Sequence, residues 1–284
     1  MRLRVLLWII VFVVLPVSTM AQENKEIILH DLYNKSGLEK QIAQMPIFIK
    51  DGFDQTVATD DHLKAIPRSV LKEFRASIET VFAPENIRRI ILSECEERMS
   101  AEDLKKAIEW FDSTTGRKFT QLEEIASTPE KYNEMQHFAL KLQASPPLPE
   151  TLKRIQQLAA AVKATETSVE VAMNAQIGIA IAILESIPKE QQPTYEKLVA
   201  EIEQTRPQME RAMRRQTIVS FLFTYRDVTH DELDRYIAFA SSPTGINFHN
   251  SVISGLKKAL LEGSYKWGKI IDAILKQSKG RTEA

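Results

Sequence analysis

Residues 99–119 read MSAEDLKKAIEWFDSTTGRKF, and residues 228–248 read VTHDELDRYIAFASSPTGINF. The two stretches align without a gap at a constant offset of 129 positions. Six positions are identical in both: Leu104 and Leu233, Ile108 and Ile237, Ser113 and Ser242, Thr115 and Thr244, Gly116 and Gly245, and Phe119 and Phe248. A gapless match that includes a glycine and an aromatic residue predicts an internal duplication.

Each stretch predicts two helices joined at a corner. Ser100 and Thr229 are followed by acidic residues in the pattern of a capping box. Apolar residues then recur three and four positions apart, which gives each first helix one apolar stripe. Ser113 and Ser242 end these helices, and Pro243 is typical of the first position of the next helix.

Gly116 and Gly245 fall in the first turn of the second helix of each pair. Glycine inside a helix costs about 1 kcal/mol relative to alanine. Its presence in both stretches indicates that another backbone passes close by, where no Cβ fits.

The rest of the chain extends this helical pattern. Helical periodicity continues after residue 22, and nine glycines and twelve prolines are too few for a turn-rich β fold. The strongest breaker is SPPLP at residues 145–149. The sequence therefore predicts an all-α protein with two similar multi-helix domains, residues 22–145 and 150–284.

The N-terminal residues 1–21 have the pattern of a signal peptide. Arg2 and Arg4 precede an apolar run of about thirteen residues, shorter than the roughly twenty that span a bilayer. Thr19 and Ala21 supply small residues for cleavage after Ala21. We expect an exported chain without a stable membrane span after cleavage; an uncleaved anchor is the alternative.

The pattern LxxxIxFxSSPTG at residues 233–245 resembles the signature of a family of exported bacterial proteins, domain of unknown function 2059. Residues 31–41, DLYNKSGLEKQ, resemble the start of that domain, whereas Thr114 departs from the family's usual proline. The first copy is covered from about residue 27 to 125, and the second near its signature. The resemblance implies a helical fold and a periplasmic location in a Gram-negative cell, and it supplies no catalytic residues.

Cys95 is the single cysteine, so an internal disulfide is excluded. It ends an apolar helical stretch, which favours a buried small hydrophobic residue. A reactive or intermolecular thiol is the alternative.

Recognisable catalytic motifs are missing from the sequence. The five histidines never stand at the i, i+4 spacing of paired metal ligands: His30, His62, His137, His230 and His249. No GxSxG elbow or glycine-rich phosphate loop occurs. The net charge of −1 argues against nucleic acid as a partner. We therefore predict no catalytic, cofactor-binding or metal-binding residues.

Two segments are candidate surfaces. Arg211 and Arg215 lie on one helix face and predict either a solvated face or a docking patch for an acidic partner or lipid headgroup. The stretch 169–187 is apolar nearly all round, which is typical of a central core helix. Its alternative is a groove for an acyl chain or partner helix beside Ile179 and Ile183, and Gly178 would permit a close crossing.

These observations favour an exported, non-catalytic binding or protein-interaction protein. The partner would be an unidentified protein. The first alternative is a carrier of a small apolar or lipid-like ligand in the second domain. The second alternative is an enzyme whose site is assembled only in three dimensions.

Overall fold

The computed structural model describes residues 17–59, 61–185 and 193–282. All regular structure in these residues is helical, which confirms the predicted all-α class. Within them, fifteen helices follow one another: α1 (Val17–Lys35), α2 (Leu38–Ala43), α3 (Met45–Thr59), α4 (Asp61–Lys64), α5 (Arg68–Val81), α6 (Pro84–Arg98), α7 (Ala101–Asp112), α8 (Thr114–Ala126), α9 (Pro129–Ala144), α10 (Pro149–Ala161), α11 (Ala164–Glu185), α12 (Tyr195–Glu203), α13 (Arg206–Thr224), α14 (His230–Ala240) and α15 (Pro243–Thr282).

The predicted signal peptide lies mostly outside the described residues. Its first sixteen residues are not described, and the predicted cleavage site after Ala21 falls within α1. In the described ranges, no helix combines the length and apolar character needed to cross a bilayer.

Helix α15 joins the two halves of the chain. It is 40 residues long, or about 60 Å at 1.5 Å per residue. It packs against α5, α6 and α7 from the first half and against α11 and α14 from the second. Its Trp267 is buried, donates from Nε1 to Ser77 Oγ at 2.9 Å, and packs edge-on against Phe53 and Phe82. The last helix is thus part of the core built by the first half.

Two hydrophobic clusters hold the helices together, and each draws on both halves. The first combines residues between Leu29 and Phe111 with residues between Phe248 and Ile271. The second places Phe119 among residues from the second half. The breaker at 145–149 separates α9 from α10, but the segments on either side share their cores.

The two repeated corners have the same hydrogen bonds. Ser113 Oγ donates to the carbonyl of Trp110 at 2.6 Å and accepts from the N–H of Gly116 at 2.9 Å. Ser242 repeats this arrangement at 2.6 Å and 3.1 Å. Each serine therefore caps the helix that follows. Ser113 is also the C-cap of α7, whereas the C-cap of α14 is Ser241, one residue before Ser242.

Gly116 and Gly245 lie where no side chain fits. A Cβ on Gly116 would be 2.0 Å from the carbonyl oxygen of Trp110, and one on Gly245 would be 2.1 Å from that of Phe239. The backbone that passes close by is the end of the preceding helix. This close approach is what makes the corner sharp.

An aromatic residue from each corner packs against the other repeat. Phe119 of the first repeat packs against Tyr236 of the second, with ring centroids 4.7 Å apart. Phe248 of the second repeat packs against Phe111 of the first, at 5.2 Å. Each repeat therefore completes the apolar stripe of the other.

Polar contacts follow the same reciprocal pattern. Lys118 Nζ lies 2.7 Å from a carboxylate oxygen of Glu232, in the capping box of the second repeat. Asn247, at the position equivalent to Lys118, donates to Asp103 of the first capping box at 3.3 Å. The acid of each capping box is thereby held by the other repeat.

Trp110 and Phe239 occupy equivalent positions and meet each other directly. Their rings stack with centroids 4.7 Å apart and an interplanar angle of 9°. Contact between equivalent positions is the arrangement found in isologous dimers. The duplication itself stays a prediction from the sequence match.

Helix α11 packs inside the fold along the part whose side chains are described. Met173 is buried, and a Cβ on Gly178 would lie 2.8 Å from the ring of Trp267. Gly178 therefore permits the close crossing expected from the sequence, with α15 as the partner. The side chains of Ile179 and Ile183 lie outside the described residues, so the groove suggested beside them stays a prediction.

We predict that Gly245→Ala destabilises the protein by about 1–3 kcal/mol, because even one methyl group meets a backbone carbonyl that cannot move independently. Urea unfolding followed by circular dichroism measures the change. Gly52→Ala in α3 is the matched control, since nothing lies within 4 Å of its added Cβ. We expect the control to gain about 0.5–1 kcal/mol. Equal stability of Gly245→Ala and the wild type would contradict the close-approach argument.

Candidate functional site

The residues singled out from the sequence do not converge on one site. The five signature residues form the two helix corners: Ser113, Gly116, Ser242, Pro243 and Gly245. Arg211 and Arg215 are exposed on α13. Neither set lines a common cavity.

A cavity of about 310 Å³ lies among α2, α7, α8, α11, α13, α14 and α15. This volume is at the lower end of the roughly 300–1,000 Å³ typical of small-molecule pockets. Most of its larger lining side chains are apolar: Leu38, Phe111, Val162, Phe221, Phe248, Val252 and Ile253. Four titratable side chains also line it: Glu123, Tyr225, Tyr236 and His249.

The packing of Phe119 against tyrosines of the second repeat positions Glu123. Phe119 lies one helical turn before it on α8, so both side chains share a face. The ring of Phe119 packs against Tyr225 and Tyr236 at centroid distances of 5.1 and 4.7 Å. Tyr225 then donates to Glu123 Oε1 at 2.7 Å, and Tyr236 hydrogen-bonds the same carboxyl group.

Burial controls the charge of this carboxyl group. Desolvation raises the pKa of Glu123 to about 7, although the hydrogen bonds from Tyr225 and Tyr236 act in the opposite direction. Burial also raises the pKa values of both tyrosines well above 10. Glu123 therefore changes its charge near neutral pH while both phenols stay neutral.

His249 lines the same cavity as a neutral base. Burial, assisted by the positive charge of Lys163, lowers the pKa of His249 to about 4. Its Nε2 atom is buried and has no hydrogen-bond partner among the described residues. A lone acceptor or donor beside a cavity is a group that a ligand can satisfy.

A larger cleft of about 740 Å³ lies among α10, α11, α13 and α15. Its buried Glu170 binds Arg206 at 2.8 Å and Lys257 at 2.9 Å, and Arg206 also binds Glu203 at 2.6 Å. The principal charges of this cleft therefore pair with one another. Glu123 differs, because its hydrogen-bond partners are neutral tyrosines.

Sequence reasoning missed this cavity. The available signal was Glu123 itself, which interrupts the apolar face of α8 between Phe119 and Ala126. A carboxyl group at such a position marks a buried acid with a specific partner. Tyr225 and His249 carry no comparable signal, because only the fold brings them to Glu123.

Other candidates have plain structural positions. Cys95 is buried, as predicted, and burial beside Glu94 raises the pKa of its thiol to about 12. His30 is exposed and contacts Asn34 at 3.1 Å, whereas the side chain of His62 lies outside the described residues.

Comparisons with family models, curated proteins and solved structures give no match to this chain. The resemblance to domain of unknown function 2059 therefore stays a prediction based on the quoted motifs.

The two cavity groups predict opposing pH effects on stability. Folded Glu123 retains a proton between its ordinary pKa near 4.5 and about 7, so its contribution to stability falls as pH rises through that range. Folded His249 stays neutral between its ordinary pKa near 6.5 and about 4, so its contribution falls as pH decreases. Their slopes oppose each other between pH 4.5 and 6.5.

Single variants should expose each slope. Relative to the wild type, Glu123→Gln should gain up to about 3 kcal/mol between pH 4.5 and 7.5, and His249→Gln should gain a similar amount between pH 6.5 and 4. Urea unfolding across pH 4–8 measures both differences. Gln121→Ala, an exposed change on the same helix, should follow the wild type. If the free energies of unfolding of Glu123→Gln and the wild type change in parallel with pH, the raised pKa of Glu123 is contradicted.

Proposed function

We propose that this chain is an exported, non-catalytic binding protein that holds a small, largely apolar ligand in the 310 Å³ cavity. The observation that carries the proposal is the carboxyl group of Glu123, held by Tyr225 and Tyr236 among apolar walls. Apolar walls supply affinity, and a few placed polar groups orient the ligand.

The energetics of Glu123 support a binding role. Burial of an acid without a cationic partner costs free energy, and an apolar residue of similar volume would avoid that cost. A polar ligand group beside Glu123 would offset it. The free Nε2 of His249 offers a second position for a ligand hydrogen bond.

The arrangement of the hydroxyl groups supports a non-catalytic role. Activation of a serine or threonine nucleophile requires a hydrogen bond to a base. Ser127, Ser220 and Thr224 line the cavity, but the Nε2 of His249 receives none of their hydroxyl groups. The proposal therefore assigns these residues to binding rather than to acyl transfer.

Probe binding tests the proposal. N-phenyl-1-naphthylamine, a neutral apolar fluorophore, should bind the wild type with increased emission. Ala164→Phe narrows the cavity and should weaken probe binding at least tenfold, because a benzyl group occupies the ligand volume. Ala160→Phe is the matched control, since Ala160 lines the larger cleft instead. Equal binding by both variants and the wild type would remove the cavity from consideration.

Variants of the arginine pair address the partner-surface hypothesis separately. Arg211→Ala and Arg215→Ala lie outside the cavity and should leave probe binding unchanged. Loss of probe binding in these variants would place the apolar site on the surface of α13 instead.

Export is the remaining part of the proposal. We expect the mature chain to begin at Gln22, because Thr19 and Ala21 fit a signal-peptidase site. Intact mass spectrometry of protein isolated from the cell envelope measures this directly. A mass that still includes residues 1–21 would indicate an anchored chain.

A further inference from the structure

The cavity wall combines many aromatic rings with a single carboxyl group. Phe111, Phe221, Tyr225, Tyr236 and Phe248 all line it. None of the described lining side chains is a lysine or arginine. A ligand inside therefore meets aromatic rings, several hydroxyl groups, neutral His249 and one acid. Lys163, whose charge acts on His249, is not part of the lining.

We infer that the ligand is an organic cation whose ammonium group faces Glu123 and whose apolar part lies among the aromatic rings. This inference rests on the proposed binding function and specifies the chemical class of its ligand. Aromatic rings attract cations through the negative charge on their faces, and recognition of ammonium ligands by aromatic cages uses this attraction.

Other charge types fit this wall less well. A carboxylate ligand would be repelled by ionised Glu123 and would find no lysine or arginine in the wall. A neutral alcohol could hydrogen-bond to Glu123, to His249 or to the lining hydroxyl groups, but it would supply no charge to balance ionised Glu123. An ammonium group instead donates to Glu123 and supplies the missing opposite charge.

The groups that face Glu123 come from four helices or helix ends. Tyr225 ends α13, Tyr236 lies on α14, and His249 lines the cavity from α15. Glu124 on α8 also acts on Glu123, and it is itself paired with Lys40 at 2.6 Å. Lys163, just before α11, acts on His249. Of these groups, only Glu123 can supply the negative charge inside the cavity.

Ligand binding should consequently release a proton from Glu123. An ammonium ligand stabilises the ionised carboxylate and must displace the proton when the pH is below about 7. The affinity for a cation should therefore rise about tenfold between pH 6 and pH 8. The affinity for a neutral ligand should not rise over this range.

Three probes with one carbon skeleton test the inference: 4-phenylbutylammonium, 4-phenylbutan-1-ol and 4-phenylbutanoate. Calorimetric titration at pH 8 should show that the ammonium probe binds the wild type at least tenfold more tightly than the alcohol. The carboxylate should bind most weakly. Between pH 8 and pH 6 the preference for the cation should fall about tenfold.

Matched variants identify the responsible acid. Glu123→Gln keeps the shape of the side chain and should abolish the cation preference and its pH dependence, while alcohol binding persists. Glu124→Gln removes the adjacent charge outside the lining and should retain the preference. Titration of the wild type in two buffers of different ionisation enthalpy gives proton release without any variant, should Glu123→Gln fold poorly.

The outcomes separate the two proposals. Equal or tighter binding of the alcohol at pH 8 overturns the organic cation while the apolar cavity remains the binding site. A cation preference that survives in Glu123→Gln also overturns the inference. If none of the three probes binds and Ala164→Phe leaves naphthylamine binding unchanged, both the inference and the proposed function fail.

Discussion

The stack of Trp110 on Phe239 is the contact around which the two repeats are arranged. These rings occupy equivalent positions in the two repeats. The contacts beside them therefore occur twice, with the roles of the two repeats exchanged. Phe119 and Phe248 cross into opposite clusters, and Lys118 and Asn247 reach opposite capping boxes. The corner glycines permit these contacts, because the first turn of each second helix packs directly against a carbonyl oxygen at the end of the preceding helix.

The cavity includes a pair of equivalent positions at which the two repeats carry different kinds of side chain. Glu123 and Val252 occupy equivalent positions in the two repeats, and both line the cavity. One position keeps an apolar side chain, as a core usually does. The other carries an acid whose hydrogen-bond donors, Tyr225 and Tyr236, are neutral. Glu123 thus lies at a position where the otherwise reciprocal packing of the two repeats differs.

Two fully buried acids show how the half-buried Glu123 differs. Glu94 is bound by Arg98 at 2.7 Å and Ser254 at 2.8 Å, and Glu170 is bound by Arg206 and Lys257. Ser254, Arg206 and Lys257 reach these acids from other helices, whereas Arg98 lies on the same helix as Glu94. The opposite charges of Arg98, Arg206 and Lys257 balance the cost of removing the acids from water. The hydrogen-bond donors to Glu123 are neutral, so the charge of Glu123 depends on pH near neutrality.

The sequence was informative where local rules decide the structure. Hydrophobic periodicity, the capping boxes at Ser100 and Thr229, and the glycine at each corner all depend on residues within one or two helical turns, and the structure has each of them. The cavity depends on contacts between distant residues: Tyr225 and Glu123 lie 102 positions apart. No local pattern encodes that contact, so the sequence pointed to the apolar helix α11 rather than to the cavity around Glu123.

The long sequence separation between α15 and the core that it covers has a consequence for how the chain folds. Trp267 closes a core whose Phe74 lies 193 residues earlier, and synthesis at about 5–20 residues per second separates them by roughly 10 to 40 seconds. During that interval Phe53, Phe74 and Phe82 lack the ring that covers them in the native protein. Until Trp267 is made, the surface of the early helices that it covers stays open to aggregation. Proteolysis that removes the part of α15 containing Trp267 would expose the same surface again.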